Sequence, residues 1–151
     1  RVGDVPGVEL RALIPNLRGV QRAIDCGCKK VKLNVSASRM HNLKNLNRTP
    51  EETVAGFVPC VDAAKEAGIE ISGSISMPFS SPWEGRIPVG DVDRIIEAYL
   101  AAGITEISLS DASGMAVQFE RSGYYVKDAD STPGEPVFNK TVSLKDSYKP
   151  E

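Results

Sequence analysis

The sequence has few of the residues on which disulfide-rich and metal-binding proteins depend. Its 151 residues include three cysteines and one histidine. Cys26, Cys28 and Cys60 are odd in number and lack C-x-x-C spacing, which argues against a disulfide framework or a zinc site. We therefore expect free thiols in a reducing compartment, the cytoplasm. Because a lone imidazole makes no metal site, His41 is predicted to be an exposed loop residue.

Strong charge and long apolar runs are also missing. The formal net charge is -2, so no basic excess indicates a nucleic-acid-binding domain. No apolar run is long enough to span a membrane, and no membrane partner is expected. The chain lacks an initiator Met, and no apolar segment of a signal peptide follows the charged residues 1–9. A strand signal already at Glu9 predicts a piece of a longer protein.

What is present is an alternation of strand and helix signals between Val8 and Gly114. Strands are predicted at Val8–Ile14, Val31–Val35, Ile69–Ile75 and Ile104–Leu109. Helices are predicted from Leu17, Thr49 and about Asp91 to stops at Gly27, Gly68 and Gly103. The second helix opens on a capping box at Thr49 and Glu52, and an Asn-rich loop is predicted before it. Such alternation indicates parallel βαβ units, in either a barrel or an open doubly wound sheet.

Polar residues gather directly after the predicted strands. They are Asn16, Ser36, Ser38, Ser76 and Asp111. In α/β folds the carboxyl ends of the strands carry the chemistry, so these residues are predicted to share one end of the sheet. No glycine-rich phosphate loop follows any strand, which disfavours a nucleotide-binding site of that kind.

The alternation breaks at Met115, where a helix is due. Aromatic residues there indicate an extended segment, and the turn-rich stretch 128–134 separates it from another around Phe138–Leu144. The tail from Gln118 to Leu144 is therefore predicted to form a β-hairpin around Asp130–Gly134.

Five separated stretches resemble the hydroxymethylglutaryl-CoA lyase family, in the same order and spacing. They are Leu13–Gly19, Ser36–Ser38, Asn45–Glu52, Pro82–Ile87 and Glu106–Asp111. The resemblance implies that residues 1–116 are a partial TIM (β/α)8 barrel of about strands three to six, an α/β fold. It also implies an acyl-CoA substrate, cleaved to acetyl-CoA and acetoacetate with a divalent metal, Mg2+ or Mn2+.

The resemblance places the family's metal ligands and catalytic cysteine on strands outside this chain. We therefore expect no metal to bind, no lyase activity from the chain by itself, and self-association of an open half barrel. Asp111 is the catalytic candidate, because it matches the Asp that closes the family's sixth strand in a Gly-Asp-Thr motif. Here the motif reads Ser110-Asp111-Ala112, and a loop-capping role for Asp111 is the alternative.

Residues 117–151 resemble the C-terminal end of glutaminyl-tRNA synthetase. The similar stretches are Val117–Arg121, Gly123–Tyr124, Asp130–Gly134 and Pro136–Val142. This resemblance implies that Gln118 and Arg121 bind RNA, with tRNA as a partner of the tail, since an amide and a guanidinium can bond unpaired base edges. A surface Gln and a salt-bridged Arg are the alternative. The second functional hypothesis is thus a tRNA-binding segment in a chimeric chain.

Overall fold

A computed structural model describes residues 7–112, 116–119, 123–127 and 137–142. The chain divides into two compact units, Arg1–Ala112 and Ser113–Glu151. This division lies four residues before the 116/117 boundary drawn from the sequence. Within the described ranges, no helix has the length and apolar character needed to cross a membrane.

The first unit is a parallel sheet flanked by helices. Its strands are β1 (Arg11–Ile14), β2 (Lys30–Ser36), β3 (Glu70–Ser76), the two-residue strands β4 (Ser80–Ser81) and β5 (Gly85–Arg86), and β6 (Ile107–Ser110). Its helices are α1 (Leu17–Asp25), α2 (Arg39–Leu46), α3 (Pro50–Val54), α4 (Phe57–Glu66) and α5 (Val89–Ala101). The four long strands pair in the order β1-β2-β3-β6, all parallel, which confirms the predicted α/β fold. Strands β4 and β5 form a separate antiparallel pair.

Helix α2 occupies the segment that was predicted to be an Asn-rich loop, so that prediction is wrong. The helix begins after Ser38, whose hydroxyl accepts a hydrogen bond from the His41 amide at 3.1 Å. It ends at Asn47, which adopts the left-handed conformation with φ 53°. Asparagine tolerates that conformation better than most residues, so the composition that suggested a loop instead marks the end of a short helix.

The helix predicted from Thr49 to Gly68 is two helices, α3 and α4, separated at Ala55–Gly56. The capping box is confirmed: the Glu52 amide donates to Thr49 Oγ1 at 3.2 Å, and the Thr49 amide donates to Glu52 Oε2 at 2.7 Å. Gly56 is the N-cap residue of α4 and has no side chain to bond the first amides of that helix. Glycine is conformationally permissive, so it allows the chain to leave the helical path between α3 and α4. The outer strands are also shorter than predicted, and α5 begins two residues earlier, at Val89.

The two faces of the parallel sheet differ in chemistry because side chains alternate along a strand. Val31, Leu33 and Val35 of β2 are buried against the helices with Ile75 of β3. Intervening residues point to the opposite face. That face carries Lys32, Asn34 and Ser36 on β2, Ser72, Ser74 and Ser76 on β3, and Ser108 and Ser110 on β6. The core therefore lies on the helix side, and the other side is polar.

Tyr99 joins α5 to the middle of the sheet. Its buried hydroxyl lies 2.8 Å from the Leu33 carbonyl oxygen and 3.0 Å from the Ser74 carbonyl oxygen, and its one proton can be donated to either. Its ring stacks on Phe57 with 4.3 Å between centroids. A Cβ at Gly73 would lie 3.1 Å from three atoms of this ring, so glycine leaves the room that the tyrosine fills.

The second unit contains β7 (Ala116–Phe119), β8 (Gly123–Lys127) and β9 (Phe138–Val142), paired antiparallel in that order. The pairing of β8 with β9 confirms that the tail is extended and folds back on itself. The predicted turn at Asp130–Gly134 lies outside the described residues. Strand β7 forms a further antiparallel pair with β8, where the sequence had suggested one extended segment.

Candidate active site

The polar residues that follow the strands lie at one end of the sheet, as predicted. The parallel register sets Ser36 opposite Ser76 and Ser76 opposite Ser110. Asp111 follows Ser110 directly, and Asn16 follows β1 at the same end. The sequence thus predicted correctly which residues share the carboxyl ends of the strands.

Hydrogen bonds between side chains tie these strand ends together. Ser36 Oγ donates to the Ser76 carbonyl oxygen at 3.2 Å, and Ser76 Oγ donates to Asn34 Oδ1 at 3.0 Å. The hydroxyl oxygens of Ser74 and Ser110 lie 3.1 Å apart. Because each of these hydroxyls is engaged within the sheet, the network fixes the positions of the strand ends and of the loops that follow them.

Asn42 is a buried residue that the sequence did not single out. Its Oδ1 accepts from the Ser36 amide at 2.9 Å, and its Nδ2 donates to the Arg48 carbonyl oxygen at 2.9 Å and to Thr53 Oγ1 at 2.8 Å. One amide group therefore holds the end of β2, the loop after α2 and helix α3 in place. No local sequence signal marks Asn42, because its burial depends on partners in other elements.

Glu84 connects the β4–β5 pair to the start of α2. Its carboxylate accepts from the Ser38 hydroxyl, from the Met40 amide at 3.2 Å and from Ser81 Oγ at 3.2 Å. A carboxylate at the first turn of a helix is favoured by the helix dipole. Glu84 thus supports the loop after β2.

A cavity of about 390 Å3 opens beside the end of β1. Its lining includes Asn16, Arg18, Arg48 and Thr53. The Asn16 side chain accepts from the Gly19 amide at 3.1 Å and caps α1. In the part of the chain that the structure describes, the guanidinium groups of Arg18 and Arg48 have no hydrogen-bond or ion-pair partner, and both residues are exposed. Two unpaired guanidinium groups near a helix N-terminus make this cavity positive and suited to a phosphate.

A larger groove of about 570 Å3 runs between α2, α3, the β4–β5 pair and α5. Two of its arginines are already paired: Arg39 lies 3.2 Å from Glu51, and Arg94 contacts Asp91. Its three arginines are matched by three acidic residues, since Glu84 also lines it. It therefore offers less attraction for an anion than the smaller cavity.

The residues present do not fit the divalent metal that the family resemblance implies. In the part of the chain that the structure describes, no three His, Cys, Asp or Glu side chains converge. His41 lies on α2 and not in a loop, which corrects the prediction; its Nε2 is 2.9 Å from Asn45 Nδ2, and partial burial lowers its pKa. The cysteines are free, and burial raises the pKa of the Cys60 thiol to about 11.

Comparison with known proteins identifies the family. The model of the HMGL-like family matches residues 9–124 of this chain. The chain belongs to the HMGL-like family. Curated relatives include the mitochondrial hydroxymethylglutaryl-CoA lyase of Gallus gallus, 34% identical over 114 residues, which are 76% of this chain and 38% of that protein. The lyase YngG of Bacillus subtilis is 34% identical over 73% of this chain and 37% of its own length.

Solved structures agree. A hydroxymethylglutaryl-CoA lyase from Acinetobacter baumannii, in complex with coenzyme A and 3-methylmalate, is 34% identical and superposes with a TM-score of 0.69. The superposition covers 75% of this chain and 37% of that one. The lyase from Bacillus subtilis gives a TM-score of 0.64 at 33% identity, over 70% of this chain and 35% of that one. The HMGL-like chain thus spans less than two-fifths of the length of these relatives, and its parallel sheet is a partial lyase-type barrel.

The comparisons do not support the predicted likeness of the tail to glutaminyl-tRNA synthetase. The HMGL-like match continues past residue 116 to Tyr124 and so includes Gln118 and Arg121. Gln118 lies in β7, and Arg121 lies outside the described residues. RNA binding by these two residues stays a prediction.

Proposed function

We propose that this chain is the coenzyme A-facing part of a hydroxymethylglutaryl-CoA lyase-type barrel. In the complete enzyme it would hold the acyl-CoA, while the cleavage to acetyl-CoA and acetoacetate requires strands that this chain does not contain. The observation that carries the proposal is the unpaired arginine pair beside the end of β1, in a chain whose relative from Acinetobacter baumannii binds coenzyme A.

Coenzyme A carries three phosphate groups, so its site needs cationic donors that are not already neutralised. Arg18 and Arg48 meet this requirement, because no acidic side chain lines their cavity. Arginine can bond a phosphate through two N–H groups at once. The first amides of α1 add donors at the same place, since Asn16 satisfies only one of them. Of the two cavities described, this one is therefore the more favourable place for the phosphates.

Asp111 lies at the same end of the sheet as this cavity. We propose that it faces the acyl group of the bound substrate, as the matching residue does in the family. Since Asp111 already has an interaction within the chain, capping of the loop after β6 is compatible with this role.

Coenzyme A binding tests the proposal directly. Titration calorimetry of the full chain should detect coenzyme A binding, and Arg18→Ala or Arg48→Ala should weaken it about tenfold, the value of one charge-assisted bond of roughly 1.4 kcal/mol. Arg22→Ala is the matched control, because Arg22 lies one turn further along α1, is exposed and does not line the cavity. Equal losses in all three variants would contradict a defined phosphate site.

An activity assay tests the second half of the proposal. We expect no acetoacetate from hydroxymethylglutaryl-CoA, with or without Mg2+ or Mn2+, because a catalytic metal needs several converging ligands. Turnover that disappears in Asp111→Ala would show that the chain carries a complete site.

We also propose a cytoplasmic location for this chain. Its relatives include a cytoplasmic lyase of Danio rerio as well as mitochondrial enzymes.

A further inference from the structure

The groove between α2, α3, the β4–β5 pair and α5 has an apolar floor. The side chains of Ala37, Ile87 and Ile95 line it and are at most 7% exposed. The remaining apolar residues of the lining are Pro50, Val54 and Pro88. The groove has a volume of about 570 Å3, which is in the range of small-molecule sites, and such sites are mostly apolar with a few polar groups.

Every residue that lines this groove lies between positions 37 and 95. These residues belong to the segments that follow β2 and β3, the two central strands of the parallel sheet. Both strands are paired on each side, by β1 and β6 as well as by each other. The groove is therefore formed by neighbouring elements of the described unit and does not involve the outer strands.

Hydrogen bonds hold the walls of the groove in place. Glu84 joins the β4–β5 pair to α2 through the Ser38 hydroxyl and the Met40 amide. The Ile87 amide donates to the Phe79 carbonyl oxygen at 2.9 Å and fixes the end of the β4–β5 pair. Helix α3 is held by its capping box. Because these bonds are all within the protein, the groove is formed before a ligand binds, and binding orders few groups.

Ion pairs already engage two of the three arginines that line the groove. Arg39 lies 3.2 Å from Glu51, and Arg94 contacts Asp91. Each pair joins one cation to one carboxylate, so neither has an uncompensated charge to offer a ligand. The two pairs thus form polar, electrically balanced parts of the rim.

Arg86 is the third arginine. In the ranges that the structure describes, its guanidinium group has no hydrogen-bond or ion-pair partner, and the residue is exposed. The third acidic residue, Glu84, accepts three hydrogen bonds from α2 and the β4–β5 pair. One cation beside an apolar floor therefore remains available for a ligand.

We propose that this groove binds a small aliphatic carboxylic acid, with its carboxylate on Arg86 and its hydrocarbon chain along Ile87 and Ile95. A guanidinium group can bond a carboxylate through two parallel N–H groups. A single negative charge matches the one available cation, whereas a polyphosphate would bring several negative charges close to Glu84 and Asp91. The inference is independent of the proposed coenzyme A site, whose cavity has no acidic lining residue.

Acids of different chain length test the apolar floor. Titration calorimetry of the full chain should show saturable binding of one octanoate. Each buried CH2 group should raise the affinity about fourfold, so hexanoate should bind roughly tenfold more weakly. Val54→Ala shortens a half-buried side chain of the lining and should weaken octanoate and its neutral analogue 1-octanol by a similar factor, about threefold.

A charge variant tests the role of the cation. Arg86→Gln should weaken octanoate about tenfold and leave the affinity for 1-octanol unchanged, because only the acid uses the guanidinium group. Arg86 is exposed, so circular dichroism should show an unchanged fold. Arg22→Gln is the matched control, since Arg22 is exposed on α1 and does not line the groove.

Competition separates this site from the coenzyme A cavity. The two share no lining residue, so coenzyme A should not displace octanoate. Displacement by coenzyme A would assign the acid to the other cavity and overturn the proposal. Binding that does not saturate, equal affinities for octanoate and hexanoate, or equal losses of octanoate in Arg86→Gln and Arg22→Gln would overturn it too.

Discussion

Replacing Asn42 with leucine tests whether one buried amide group organises the candidate site. Leucine has the same number and branching of side-chain heavy atoms but can neither accept from the Ser36 amide nor donate to the Arg48 carbonyl oxygen. The Ser36 bond is buried, and an orphaned buried donor costs about 1–3 kcal/mol. The Arg48 bond is partly open to water and should add about 1 kcal/mol. The loss of the third bond, from Asn42 Nδ2 to Thr53 Oγ1, should cost little free energy, because the Thr53 hydroxyl still donates to the Thr49 carbonyl oxygen.

We therefore expect Asn42→Leu to lower the free energy of unfolding by about 2–4 kcal/mol. Urea unfolding followed by far-UV circular dichroism measures this difference, at one fixed protein concentration because association would otherwise change the apparent stability. Asn45→Leu is the matched control: Asn45 is exposed on the same helix and bonds only His41, so its loss should stay below about 0.5 kcal/mol. A loss below about 1 kcal/mol for Asn42→Leu would refute the reasoning.

Two further predictions concern close packing and pH. Gly73→Ala should destabilise the fold by about 1–3 kcal/mol, because its Cβ would meet the buried Tyr99 ring at 3.1 Å. The control is Gly90→Ala in α5, where the added Cβ would have no atom within 4 Å, so this variant should be neutral or stabilising. Equal urea midpoints for the two variants would contradict the prediction. Burial lowers the pKa of His41, so the unfolded chain binds a proton more readily and stability should decline as pH falls below about 6.5. His41→Gln should remove part of that decline in urea titrations at pH 7 and pH 5; an unchanged slope would show that other groups cause it.

The sequence correctly predicted those parts of the fold that depend on the alternation of apolar and polar residues. Val31, Leu33 and Val35 alternate with polar residues, and the strand they predict is present with the expected buried face. The same alternation placed Ser36 and Asp111 at one end of the sheet. Side chains in a strand point alternately to the two faces of the sheet. Once a strand is recognised in the sequence, its buried face, its polar face and its carboxyl end can therefore all be assigned.

The parts that the sequence missed depend on contacts between distant residues. Helix α2 is weakly amphipathic, and its buried residue is Asn42, whose partners lie up to eleven residues away. Arg18 and Arg48 are thirty residues apart, in segments that the sequence described only as a helix start and a loop. Local propensity cannot bring such residues together; tertiary packing does.

The polar face of the parallel sheet is consistent with a sheet that forms part of a barrel. A four-stranded parallel sheet normally buries both faces, because each crossover helix covers one and a second layer covers the other. Here helices cover one face, and the other carries Lys32 bonded to Ser108 at 3.1 Å, together with the serine network. Such hydrogen-bonded side chains suit the interior of a barrel in which they face one another across a short distance.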